Sequence, residues 1–151
     1  MMTDTLATPR FTLPLLAVAQ AQKEVTHNEA LALLDALLHP AVEAGPVATP
    51  PPAPVAGQCW LVAAGAGGEW SGRGGTIAIR TDGGWRFVAP RGGMRIIRLS
   101  DGALLRFEGG LWIGPAAIPA PAGGATVEVE ARAAIAALLS VLDAHGILKS
   151  G

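Results

Sequence analysis

The chain has 151 residues and a net charge of −1; half of it is apolar and 15% is charged. That length is about one domain, enough to bury a sizeable core, and scattered Lys and Arg without a basic stripe argue against a nucleic-acid partner. The single cysteine, Cys59, excludes an intrachain disulfide and any multi-cysteine zinc site. It sits in an apolar run, where a buried, inert thiol is expected.

The N-terminal stretch MMTDTLATPRF is polar and has no basic segment leading into an apolar one. No signal peptide is expected, and synthesis is placed in the cytoplasm. No run reaches the roughly 18 apolar residues of a membrane span, so no membrane insertion is expected. A lone globule usually carries about a quarter charged residues. This chain's lower fraction points to surface hidden in partners.

From residue 20 the polar residues Gln20, Gln22, Lys23, Glu24, Thr26, His27, Asn28 and Glu29 crowd together. Thr26 and Glu29 fit a capping box, with Val25 and Ala30 at the staple positions. Leu31, Leu34 and Leu38 then recur at helical spacing, with Leu33 and Leu37 beside them. Pro40 disfavours helix at His39 and ends the segment. On this reading Gln20, Gln22, Lys23 and Glu24 precede the cap, in a linker or in an earlier helical turn that begins near Pro14. Five prolines between Gly45 and Gly57 then dictate extended or polyproline-like backbone.

Short apolar runs separated by glycine turns follow: QCWLV, TIAIR, GWRFVA, MRIIRL, ALLRFE and GLWI. Asp-Gly pairs between alternating runs signal hairpins. Ile77, Ile79, Trp85, Phe87, Ile97, Leu99, Leu105 and Phe107 alternate with Arg80, Arg86, Arg98 and Arg106, which predicts one buried and one wet face. After a second Pro/Gly-rich stretch, Glu128 to His145 reads as helix, with Gly146 just past its end. Ala131, Ile135, Leu138, Leu142 and His145 step by four and three, a heptad spacing over barely two heptads. Such a helix either packs on its own domain or joins a small self-associating bundle, with Ile135 and Leu142 at a and Leu138 at d.

The expected fold is therefore α+β: an N-terminal helix, an antiparallel β meander of five or six short strands forming a small barrel or curled sheet, and a C-terminal helix. The segments are an arm and helix for attachment or oligomerisation over 1–45, a Pro-rich linker over 46–57, the meander over 58–114, a linker over 115–125 and the C-terminal helix over 126–151.

Chemical motifs are sparse. His27, His39 and His145 are too dispersed to share a metal, and no metal-ligand spacing occurs. Gly65 to Gly75 is glycine-rich but lacks the phosphate-loop Lys-Ser/Thr and is followed by strands, so glycine there serves a wide β loop. Asp82, Asp101 and Glu108 sit at turns, where carboxylates cap hairpins, and nothing marks a glycosidase pair among them. We assign no catalytic, cofactor-binding or metal-binding residue, no cofactor, and no enzymatic activity. Of the four tryptophans, all in the β region, Trp85 and Trp112 read as core. Trp70 lies in the loop GGEWSGRGG, where an exposed indole is the candidate sugar contact.

One stretch resembles a known family. Pro9-Arg10, Leu13-Pro14, Gln20-Ala21-Gln22-Lys23 and Thr26-His27-Asn28-Glu29-Ala30 resemble the signature of a domain family of unknown function, DUF2793, found in alphaproteobacterial phages, prophages and gene-transfer agents. The proline run, GQCWLVAAGAGGEWSG, DGGWRFVAPRGG and AHGIL extend the likeness more loosely over nearly the whole chain. Glu24 stands where a His or another residue is expected in many relatives. The resemblance implies a tail-fibre or other virion appendage protein and carries over no catalytic residues. It implies a homotrimeric structural or adhesive subunit of a phage-like tail that attaches to the host surface. The partners would be its own copies, tail or baseplate proteins and host polysaccharide, and the location the virion. Docking is expected through Gln20, Gln22, Lys23, His27 and Asn28, as a polar seam, and through Leu31, Leu34, Leu38, Ile135, Leu138 and Leu142. The alternative is a carbohydrate-binding module using exposed Trp on the β domain.

Overall fold

The computed structural model describes residues 6–17, 23–124 and 128–150. The fold is α+β, with two helices and short strands in open sheets; of the two forms expected for the meander, no closed barrel forms among the described residues. The chain divides into two compact units, Met1–Pro90 and Arg91–Gly151. The division falls inside the segment expected to be one meander.

Unit one contains α1 (Lys23–Leu37), β1 (Ala41–Val42), β2 (Ala44–Val47), β3 (Cys59–Val62), β4 (Ile77–Thr81) and β5 (Gly84–Val88). α1 begins before Thr26, so Thr26 and Glu29 lie inside the helix and the expected capping box does not form. Glu29 instead pairs with Arg86 on β5, Oε1 to Nε 2.5 Å. The helix does stop ahead of Pro40, at Leu37.

The sheet order is β2-β3-β4-β5. β3, β4 and β5 are antiparallel, with Cys59 opposite Ile79 and Ala78 opposite Phe87. β2 joins parallel to β3 with an irregular register. It was not expected, because it comes from the proline-rich segment. Pro46 is tolerated because β2 is an edge strand with an N–H to spare.

Both faces of this sheet are covered. Trp60, Val62 and Ala78 pack with Ala66 and Trp70 on one face, with Phe87 and Trp85 partly buried against them. On the other face Ile79 shares a small cavity with Ala32 and Ala36 of α1. β3 is accordingly buried at all four residues. A strand covered on two sides reads as a continuous apolar run, so the single wet face expected here does not exist in β3 or at Ile77–Ile79 of β4.

Unit two contains β6 (Arg95–Arg98), β7 (Ala103–Glu108), β8 (Leu111–Ile113), β9 (Ala117–Ile118), α2 (Val129–Ala144) and β10 (Lys149–Ser150). β6, β7 and β8 form an antiparallel meander. Gly109 and Gly110, both at positive φ, make the two-residue turn between β7 and β8, as a type I′ hairpin needs. Arg98 and Asp101 lock the β6–β7 turn through hydrogen bonds of 2.8 and 2.7 Å, which push the Arg98 pKa up. β9 and β10 pair in parallel.

Here one expected core position shifts. Ile96, not Ile97, is buried, because Ile96 faces Leu105 across the ladder. Leu99 has left the strand for the turn and is exposed. Two adjacent isoleucines satisfy either alternation, and only the pairing selects one.

The end of α2 forms as expected. Gly146 takes φ +66°, its N–H donates to the Asp143 carbonyl, and the Ile147 N–H donates to the Leu142 carbonyl. This is the Schellman arrangement, which satisfies carbonyls the helix end would orphan. The Gly146 carbonyl also accepts from the Leu104 N–H on β7. A Cβ at Gly146 would stand 2.2 Å from the Gly102 carbonyl oxygen and 2.9 Å from the Leu104 nitrogen. Replacing Gly146 with Ala should therefore lower unfolding stability by more than the ~1–2 kcal/mol of left-handed strain alone, read from the urea midpoint, whereas Ala at the open Gly92 should cost less than about 1 kcal/mol.

Candidate functional site

The most elaborate polar arrangement joins the N-terminal arm to α1, and it centres on Asp35. A lone acid within LALLDALL is out of character for its helix. Asp35 is buried and accepts from three donors of one short loop: the Thr8 hydroxyl at 2.6 Å, the Phe11 N–H at 2.8 Å and the Arg10 N–H at 2.9 Å. Thr8, also buried, accepts in turn from the Leu13 N–H at 2.9 Å. The Arg10 guanidinium donates to the Ala36 and His39 carbonyls at 2.9 and 3.0 Å. These are carbonyls at the helix C-terminus, where a cation is favoured. One turn from the helix start, Asn28 makes a reciprocal pair with Leu16, accepting from its N–H at 2.9 Å and donating to its carbonyl at 3.0 Å.

The arm is thus laced along one side of α1. A cavity of about 60 Å³ remains beside Asp35, lined by Thr8, Leu15, Ala32, Ile79 and Arg80 among others. That is far below the ~300 Å³ at which ligand pockets begin. The arrangement does structural work, and sequence reasoning missed its central residue. The available signal was the isolated Asp in an otherwise apolar run.

This geometry redistributes the expected docking residues. Gln20 and Gln22 lie outside the described residues. Asn28 belongs to the intrachain seam with Leu16 and so is removed from the expected intersubunit seam. Lys23, His27, Leu34 and Leu38 are exposed and Leu31 is half-buried. Their spacing of four, four, three and four puts all five along one side of the helix. In α2, Ile135 and Leu138 are exposed, and Leu142 is half-buried. The structure does not bring α1 and α2 residues together as one cluster within either unit, since the helices belong to different ones.

The expectation for Trp70 is overturned. It lies on a short 3-10 turn, Gly68–Trp70, and is 0% exposed. Its ring centroid is 5.1 Å from Trp85 and 6.5 Å from Trp60, and Trp60 and Trp85 are 5.6 Å apart. The glycine-rich loop folds its one large apolar side chain inward, because burying an indole outweighs exposing it. An indole enclosed this way presents no face to a sugar. Trp85 and Trp112, expected in the core, are each half-buried, Trp112 in edge contact with Phe107 at 5.3 Å.

Cys59 is buried, and burial pushes its thiol up to about 11. Among the described residues, no group of three or more His, Cys, Asp or Glu is placed to hold a metal ion. No helix among them is long and apolar enough to cross a membrane.

Two outcomes follow from these groups. Asp35→Ala strands a buried hydroxyl and two backbone N–H groups, and should cost about 3 kcal/mol while exposing the Arg10–Phe11 bond to trypsin; an unchanged digestion pattern would contradict the latch. Cys59 holds its proton more tightly folded than unfolded. Its contribution is complete below pH 9.0 and is lost as pH rises toward about 11. Urea midpoints for the parent should fall over that window relative to Cys59→Ala, which lacks the group.

No curated protein matches the chain. A family model described as a protein of unknown function, DUF2793, matches residues 27–113, more than half the chain. The match takes in α1 from His27 onward, all of the first sheet and the β6–β8 meander, so that the likeness extends through the β region: this chain belongs to the DUF2793 family.

Proposed function

We propose that the chain is a non-enzymatic structural subunit of a phage-like tail appendage, a homotrimer that takes part in attachment to the host surface. The observation that carries this reading is α2. Of its sixteen residues only Leu139 is buried. Val129, Ile135, Leu138 and Val141 are all exposed, Leu138 at 63%. Fully burying one such side chain is worth ~1.5–3 kcal/mol, and obligate oligomers recover that energy through large apolar interfaces. The spacing of Ile135, Leu138 and Leu142 suits a short bundle of copies.

α1 supplies a second surface of the same kind. Leu34 and Leu38 are exposed beside His27 and Lys23. This face is available to neighbouring copies or to tail and baseplate proteins. The virion is the corresponding location. The competing reading as a carbohydrate-binding module rested on the Trp-rich β region and on an exposed Trp70, and the buried indole gives the assignment to Trp70 no support.

Light scattering on the purified chain at micromolar concentration should give three times the 15.3 kDa chain mass. Leu138→Glu should shift the mass toward the monomer with an unchanged circular dichroism spectrum, since the residue makes no buried contact. A monomeric parent, or a Leu138→Glu variant that stays assembled, contradicts α2 as the subunit contact. Labelled antibody against the chain should decorate the tails of purified particles; undecorated particles contradict the virion location.

A further inference from the structure

Unit two has a second feature that self-association leaves unused. The β6–β7 register sets Arg95 directly opposite Arg106. Such residues have Cα atoms about 4.5–5.5 Å apart, and like charges placed there are destabilising. Glu108 reaches Arg106, Oε2 to Nη2 2.5 Å. Among the described residues, the Arg95 side chain has no hydrogen-bond or ion-pair partner. Both arginines line an open cleft of about 410 Å³ whose walls include Leu104, Ile113, Pro115 and Ile147. That volume falls within the ~300–1,000 Å³ range of ligand clefts.

We propose that this cleft binds a uronic-acid unit of a host-surface glycan, its carboxylate held between Arg95 and Arg106. The inference rests on the attachment reading above. Two guanidinium forks match the planar carboxylate; Glu108 already holds one edge of Arg106, and the ligand supplies the counter-charge that the Arg95 side chain lacks. The aliphatic walls accept the C–H face of a sugar ring. Among the described residues no aromatic ring lines the cleft, so they offer no stacking platform for nucleic-acid bases. Pro115 has no N–H to give an acidic peptide that would dock by strand addition.

Calorimetric titration of the full chain with trigalacturonate tests the site. Saturable binding, one ligand per chain, is expected, weakening as salt is raised. Arg95→Gln should reduce affinity by about tenfold or more, with a thermal midpoint unchanged or higher because a like-charge pair is removed. Arg106→Gln should act in the same direction. The fully methyl-esterified trisaccharide should not bind. Equal binding of the ester, or undiminished binding by Arg95→Gln, overturns the proposal. Triglutamate or inorganic phosphate binding as tightly as trigalacturonate also overturns it, by reducing the cleft to a general anion patch. A trimeric chain that ignores trigalacturonate would remove this site and leave the subunit reading standing; a monomer that binds it would do the reverse.

Discussion

Burying a carboxylate costs several kcal/mol unless its oxygens are met by donors, and unit one is organised around meeting that demand at Asp35. The donors are a hydroxyl and two main-chain N–H groups from a single turn of the arm. Neither partner is satisfied alone. Among its described residues the arm has no helix or sheet of its own to occupy those N–H groups. Arg10 then closes the arrangement by taking carbonyls that the end of α1 would leave open.

This interaction explains why α1 is turned the way it is. A helix with leucines at 31, 33, 34, 37 and 38 would be expected to bury them and expose its acids. Instead Glu24 and Asp35 are buried, and Leu34 and Leu38 face outward. The arm side is held by directional hydrogen bonds, and the small residues Ala32 and Ala36 line the cavity that Ile79 of the sheet also borders. The apolar side is left available, and that imbalance is what a partner surface would correct. In α2 the same imbalance is stronger, with Leu139 alone buried.

The two sheets show a related contrast. In unit one the strands are covered by α1 on one face and by the tryptophan cluster on the other, which is why Cys59 is sealed and its thiol pushed up. In unit two the residues Arg95, Leu104, Arg106 and Ile113 line an open cleft. A covered sheet is a scaffold. An open one carrying paired cations can do chemistry of recognition.

The local rules of the sequence were enough to place all six apolar runs as strands, to stop α1 before Pro40 and to set Gly146 beyond α2, because turn glycines, proline geometry and two-residue alternation act over a few residues. The resemblance also pointed to the family, which the match over residues 27–113 shows. What the local rules left undecided needed partners distant in the chain. Thr26 looked like a cap until the helix was seen to begin ahead of it. Ile97 read as the core residue until the pairing with Leu105 selected Ile96. Trp70 read as exposed because its neighbours are glycines, and became the most enclosed indole because Trp60 and Trp85 surround it. Asp35 went unnoticed in the sequence, because its role depends on donors some 25 residues earlier. Short-range geometry was therefore the sequence's own to determine, while burial, which depends on what arrives from elsewhere to exclude water, was decided only by the tertiary structure.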